Sequence, residues 1–183
     1  MNVVLADSRV CLRTWETADV DALFEAASES IADVGRWLPW CHPGYQRDES
    51  AEFIRTRGEA WQQEQEYSFK ITDVAGGHLL GGCGLNQVDR QHNRANLGYW
   101  IRTSRSRQGL ATAATRLLAR WAFESLALAR IEITASVDNH ASRRVAEKAG
   151  ATFECIARRR VRIGELYHDA ACYSLIRADL GLC

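Results

Sequence analysis

The residues best suited to chemistry lie in the stretch 99–112. Arg105 and Arg107 bring positive charge to a segment that runs on through Gln108, Gly109, Leu110, Ala111 and Thr112. From Leu110 the apolar residues Leu110, Ala113, Ala114, Leu117, Leu118 and Trp121 recur at helical spacing, so a helix with one buried stripe starts there. Its first N–H groups lack internal partners and sit at the positive end of the helix dipole. Small residues at Gly109 and Ala111 let an anion approach that backbone, so the chemistry indicated is phosphate binding. It is neither of the two common phosphate loops. No Lys follows Gly109, as a Walker loop requires, and a single glycine cannot supply Gly-x-Gly-x-x-Gly. A basic loop that caps an ordinary helix is the plainer alternative.

Three further groups of residues stand out. Asp138 or Asn139 can cap a helix, with Ser142 inside its first turn. Residues 35–45 hold both prolines, Pro39 and Pro43, and two of the six tryptophans, Trp37 and Trp40. Proline disfavours helix and central strand here, and large aromatics on a loop either plug the core or line a ligand cleft. Arg158, Arg159, Arg160 and Arg162 form the densest basic run. On a strand it reads as a solvated edge that discourages further pairing, with attraction of an acidic protein or RNA as the alternative.

These residues need elements to position them. Residues 9–15 alternate and predict a first strand. Thr17 is expected to cap a helix reaching about Ile31, with Val20, Leu23, Phe24 and Ala27 on its apolar side. Asp48 is expected to cap a second helix that buries Phe53, Ile54 and Trp61. Residues 67–71 and 78–88 pair around a turn at 73–77, and Gly81, Gly82 and Gly84 predict a bulge or a close backbone approach. A strand at 94–101 leads into the basic loop. Residues 130–137 are β-branched and form the next strand, parallel to the last because a helix crosses between them. The following helix buries Ser142, Val145, Ala146 and Ala149 and ends at Gly150. A hairpin of 151–163 and 167–177 closes the order. A parallel pair of this kind puts both helix starts at the carboxyl ends of the strands, where open sheets bind ligands.

Composition sets the outer limits. The chain has 183 residues, 46% of them hydrophobic and 25% charged, which fits one domain spanning 1–183. Net charge is zero, so nothing in the whole-molecule charge favours nucleic acid or a membrane. The six cysteines include no Cys-x-x-Cys, and no metal site is expected. No basic leader and no long apolar run is present, so neither a signal peptide nor a membrane span is expected, and a cytoplasmic location with reduced thiols follows.

Arg107-Gln108-Gly109-Leu110-Ala111 resembles the acyl-CoA loop of the Gcn5-related N-acetyltransferases, Gln/Arg-x-x-Gly-x-Gly/Ala. Ser106 departs from it, standing where the family has Gln or Arg, so either Arg105 or Arg107 would meet the pyrophosphate. Asn139 to Ser142 resembles the family's Asn-x-x-Ser helix, and Lys148-Ala149-Gly150 its Lys-x-Gly-Phe, with Phe153 displaced by two residues. Trp37-Leu38-Pro39-Trp40 and the tail 164–175 resemble the branch that acetylates N-termini of ribosomal proteins. The resemblance spans Arg9 to Arg177. It implies an α/β (α+β) domain with a mixed, mostly antiparallel and splayed sheet of about seven strands and helices on both faces.

The family further implies acetyl-CoA as co-substrate and direct attack of a primary amine in a ternary complex. Tyr99, Trp100, Ile101, Arg105, Arg107, Gln108, Gly109, Leu110, Ala111, Thr112, Asn139 and Ser142 are the cofactor-binding positions it implies. Trp37 and Trp40 are those for the acceptor. Ser142 would donate to the leaving sulfur, and Asn96 stands where the family often has a catalytic Glu. An amide takes no proton at neutral pH. Glu132, His92, His140 and His168 are base candidates by residue type alone. An α-amine near pKa 7.7–8.0 is substantially neutral at pH 7–8, unlike a lysine near 10.4, so the missing base favours an α-amine acceptor. A ribosomal or other protein N-terminus is the expected acceptor. Small amines, a non-catalytic CoA sensor and a homodimer are the alternatives left open.

Overall fold

Alternation along Tyr67–Thr72 puts Tyr67, Phe69 and Ile71 on one side of a strand, each almost wholly buried. That side is the larger core, shared with Leu85, Leu97, Leu118, Phe123, Ile131 and Tyr173. In the computed structural model, which describes residues 3–75 and 77–182, the elements are β1 (Val4–Ala6), β2 (Cys11–Thr14), α1 (Val20–Glu29), α2 (Arg47–Gln62), β3 (Tyr67–Thr72), β4 (Leu79–Asp89) and β5 (Arg94–Ile101). There follow α3 (Leu110–Ser125), β6 (Arg130–Ser136), α4 (His140–Ala149), β7 (Thr152–Ile163) and β8 (Leu166–Leu175). The strands form one eight-stranded sheet in the order β1-β2-β3-β4-β5-β6-β8-β7. Every neighbouring pair is antiparallel except β5 with β6, which α3 connects. Residues of α3 fill the larger core, whereas α1 and the first part of α2 close a smaller cluster with Leu79, Trp15 and Trp100 on the other face. Among the described residues no helix is long and apolar enough to cross a membrane.

The α+β class, the splayed mixed sheet and the parallel crossover are as expected, and several details differ. The sheet has eight strands, because Val4–Ala6 pairs with Cys11–Thr14 as an added edge. Three residues are too short a run to show alternation. Thr17 lies in a short 3-10 turn over Thr17–Asp19, entered from Glu16 and braced by Asp19. Gln46, in a capping box with Glu49, starts α2 in place of Asp48. Gln46 N–H donates to Glu49 Oε1 at 2.8 Å and Glu49 N–H to the Gln46 carbonyl at 3.0 Å. Ser142 and Val145 are half-buried, whereas Ala146 and Ala149 are in the core. The glycines of β4 behave as expected: a Cβ on Gly81 would lie 2.1 Å from the Trp100 carbonyl oxygen. The arginine run lies on β7, the edge strand of the sheet, interrupted by a register shift between Ala157 and Val161.

Candidate active site

The basic loop is anchored at one end and open at the other. Arg102 reaches Glu25 and Glu29 of α1, and Ser104 gives both its N–H and its hydroxyl to Glu29 Oε1, at 3.1 and 2.8 Å. These donors, Arg102 foremost, hold the Glu29 carboxyl at about 2. Thr103 binds Ser30 Oγ and Asp33. Beyond this clamp the chain turns sharply through Arg107 (φ +62°) and Gly109 (φ +78°) into α3. Left-handed residues alternating with ordinary ones point successive N–H groups inward, a concavity that suits an anion. The first backbone bond of α3 runs from Ala113 N–H to Gly109 O, so the N–H groups of Leu110, Ala111 and Thr112 precede it.

A Cβ on Gly109 would lie 3.1 Å from Nη1 of Arg9. Arg9, in the β1–β2 turn, therefore brings a guanidinium to the loop that carries Arg105 and Arg107. Sequence reading passed over it, since it sits a hundred residues away in a short irregular turn. Among the described residues no carboxylate engages any of the three.

The adjoining gap comes from the strands. Pairing of β5 with β6 covers only Arg94 to Asn96 against Arg130 to Glu132. Beyond Asn96 the two strands part, and among the described residues the edge of β5 over 97–101 has no strand partner on that side. The Tyr99 hydroxyl bridges the gap, donating to the Ser142 carbonyl at 2.9 Å and meeting Ser142 Oγ at 3.1 Å. Burial pushes the Tyr99 phenol up to about 12, so it is a neutral donor. Asn139, not Asp138, caps α4, accepting the Ser142 N–H at 3.0 Å. Tyr99 thus fixes the hydroxyl and Asn139 the backbone of the same residue.

On the opposite face, α1, the 35–45 loop and α2 cover β3, β4 and β5 to leave a cleft of about 470 Å³. Its floor is Gly82, Gly84 and Gly98, and its walls include Trp15, Trp40, Tyr45, Phe53 and Trp100. A Cβ on Gly82 would lie 2.7 Å from Trp100 Nε1 and 3.3 Å from Trp15, so the rings need that glycine. Trp40 packs edge-on against Trp100 at 5.3 Å, and Trp15 donates to Ser68 at 3.1 Å. The charged members are Glu49, Arg57 and Glu66. Arg57 pairs with Glu66, and Glu49 accepts from Gln46 N–H and meets His42 at 3.0 Å. The first of these lowers the Glu49 carboxyl most.

The structure gathers some of the expected residues and separates others. Residues 99–101, the basic loop and the start of α4 meet around the gap. Trp100 turns its side chain into the cleft, away from the gap, and only its backbone faces the latter. Trp40 lines the cleft, whereas Trp37 lies outside it under the Arg36 guanidinium at 4.8 Å. Asn96 donates to Asn86 Oδ1 at 2.9 Å beside Glu132, and is not part of the cleft lining. None of the four candidate bases lines the cleft either. Glu132 is held by Arg94 and Arg130, and His92 by Asp89. Glu49 and Glu66 take their place as the carboxylates at hand. No local pattern marks them, because α2 and the chain before β3 bring them together.

The profile of the acetyltransferase (GNAT) domain matches residues 9–152. YdaF of Bacillus subtilis, named provisionally as a ribosomal N-acetyltransferase, is 30% identical over 178 residues, covering 94% of each chain. The ribosomal-protein-serine acetyltransferase of Escherichia coli is 24% identical over 157 residues, 86% of this chain and 87% of its own. The solved structure of Mycobacterium smegmatis RimJ in complex with CoA-disulfide has the same fold, with a TM-score of 0.88 at 21% identity over 98% of this chain and 88% of that one. The chain belongs to the GNAT family of acetyl-CoA-dependent N-acetyltransferases.

Proposed function

We propose that this enzyme acetylates the α-amine at the N-terminus of a protein, with ribosomal proteins as the first class to test. The observation that carries the reading is Tyr99, which lines the aromatic cleft and also touches Ser142 across the strand gap. An amine in the cleft would meet an acyl group in the gap at that residue. The names of the relatives supply the ribosomal class.

The residues present fit acetyl-CoA. Gly109 keeps clear the space that a side chain would fill, the Arg9 guanidinium lies beside it, and Arg105 and Arg107 belong to the same loop, none of the three guanidiniums held by an acidic partner among the described residues. Acetyl-CoA supplies the thioester that the amine attacks. The free edge of β5 offers backbone groups to an extended ligand arm, in the manner of an added strand. With the Tyr99 proton given to the Ser142 carbonyl, Ser142 Oγ gives its own proton to Tyr99 in the free chain and would turn it to sulfur once the thioester is bound. A thiol leaving group with pKa near 8.5 needs little more help.

Proton removal supports the α-amine. Both cleft carboxylates already hold donors, Glu49 with Gln46 and His42, and Glu66 with Arg57. Among the described residues that line the cleft neither carboxylate is free of a donor, and an acceptor that is partly neutral near pH 7.5 needs no strong base. The cleft volume favours a second reading, a small primary amine, since about 470 Å³ is within the range of small-molecule sites. CoA release should be compared for peptides with free N-termini, Nα-blocked lysyl peptides and small amines. Turnover with the first group alone supports the proposal, and turnover with Nα-blocked lysyl peptides or small amines alone overturns it.

A further inference from the structure

We propose that Cys155 and Cys172 form a reversible disulfide, making the β7–β8 hairpin a thiol–disulfide modification site. The two are direct register partners on antiparallel strands. Opposed residues of that kind have Cα atoms about 4.5–5.5 Å apart, inside the roughly 4.4–6.8 Å that a disulfide spans. Their Cβ atoms, about 4.5–5.5 Å apart in such pairs, start at the upper end of the disulfide range, so the strands must close slightly. A register shift between Phe153 and Cys155 leaves the ladder irregular at that point, where it can give. A bond formed under such strain on an exposed edge is readily reduced.

Access differs between the two thiols and sets the order of events. Cys155 is exposed on the edge strand, whereas Cys172 is half-buried between β6 and β7. Burial and the neighbouring Cys155 sulfur raise the Cys172 thiol above its ordinary value. Cys155 is therefore the entry point and Cys172 the resolving thiol. With oxidised glutathione as oxidant, the Cys155 thiolate attacks one glutathione sulfur and expels a first glutathione thiolate. The Cys172 thiolate then attacks Cys155 Sγ and expels the second. The protein loses two electrons and two protons, and one glutathione disulfide becomes two glutathione thiols. Cys11, Cys41 and Cys83 are buried and have no cysteine opposite them in the sheet.

The test equilibrates the full chain in glutathione buffers of rising oxidising strength, alkylates the free thiols and maps peptides by mass spectrometry. The expected product is an intrachain link between the peptides of Cys155 and Cys172 that dithiothreitol reverses. Cys172→Ser should stop at one glutathione adduct on Cys155, and Cys155→Ser should lose the cross-link and the adduct together. Circular dichroism establishes that both variants stay folded. A lasting glutathione adduct on Cys155 in the unmodified protein would overturn the proposal. So would a link from Cys155 to Cys183, a link between chains, or two thiols that stay free in the most oxidising buffer.

Discussion

The two sides of the proposed transfer site are built by different means. The cofactor side is one continuous stretch, 97–112, and offers a ligand mostly backbone: the free edge of β5 and the N–H groups at the start of α3. The cleft on the other face gathers side chains scattered from Trp15 to Trp100, and its shape rests on ring packing over a glycine floor. Backbone recognition tolerates many substitutions but depends on a few dihedral angles and on the absence of a Cβ. Side-chain recognition depends on each ring and changes readily from one chain to another. The contrast predicts that the two sides can be damaged separately, through different kinds of substitution.

The largest effect is expected from Gly109→Val. A β-branched residue at φ +78° costs about 1–2 kcal/mol, and its side chain would crowd Arg9 and the approach to the N–H groups. The backbone strain lowers stability, whereas the blocked hydrogen bonds to a charged phosphate, about 1.5–3 kcal/mol, should weaken acetyl-CoA binding roughly ten- to hundredfold by calorimetry. Unchanged affinity in a folded variant would remove the anion site from this loop. Trp40→Ala should act on the opposite side alone. Loss of the exposed ring should lower kcat/KM for the acceptor by roughly thirtyfold, about 2 kcal/mol of apolar contact, while the Kd of acetyl-CoA stays put. If stability falls and kinetics hold, the loop is a core plug.

Ser142→Ala tests the junction of the two sides. Loss of one donor to the leaving sulfur should cost about 1–2 kcal/mol, near tenfold in kcat, with both Michaelis constants unchanged. The Asn139 cap acts on the Ser142 N–H and survives the change. Wild-type turnover under conditions where chemistry limits the rate would reduce Ser142 to part of the helix start.

The smallest effect concerns the clamp behind the loop. Glu29 has its carboxyl lowered from 4.5 to about 2, so its contribution is complete above pH 4.5 and is lost as pH falls toward 2. Glu29→Gln should lower Tm at pH 7 by about 2–4 °C, on the order of 1 kcal/mol. The gap between variant and wild type should close with acid across that window. A gap that stays constant down to pH 2 would mean that the carboxylate's charge is not what holds Arg102.

What the sequence disclosed follows the same division. The anion loop was readable because strand, basic turn and helix are consecutive, and periodicity changes at Leu110 where the helix begins. Asn139 and Ser142 were readable because a cap and its first turn lie three residues apart. The crossover at α3 foretold the parallel pair, whereas the gap was implied by the family resemblance and not by the residue pattern. Arg9 escaped because its place beside Gly109 depends on the β1–β2 turn, and β1 is too short to carry a pattern. Glu49 and Glu66 escaped because the packing of α2, not spacing along the chain, aims them into the cleft. The same holds for Trp37 and Trp40: their composition marked an aromatic loop, but only the fold turns one inward and leaves the other beneath Arg36.

The separation of the two sides is tested most directly by amide hydrogen exchange with and without acetyl-CoA. The account predicts slowed exchange at residues 107–112 and along 97–101, with no change over 45–57, where α2 borders the aromatic cleft. Protection confined to 45–57, with the loop before α3 exchanging as freely as in the free enzyme, would contradict it.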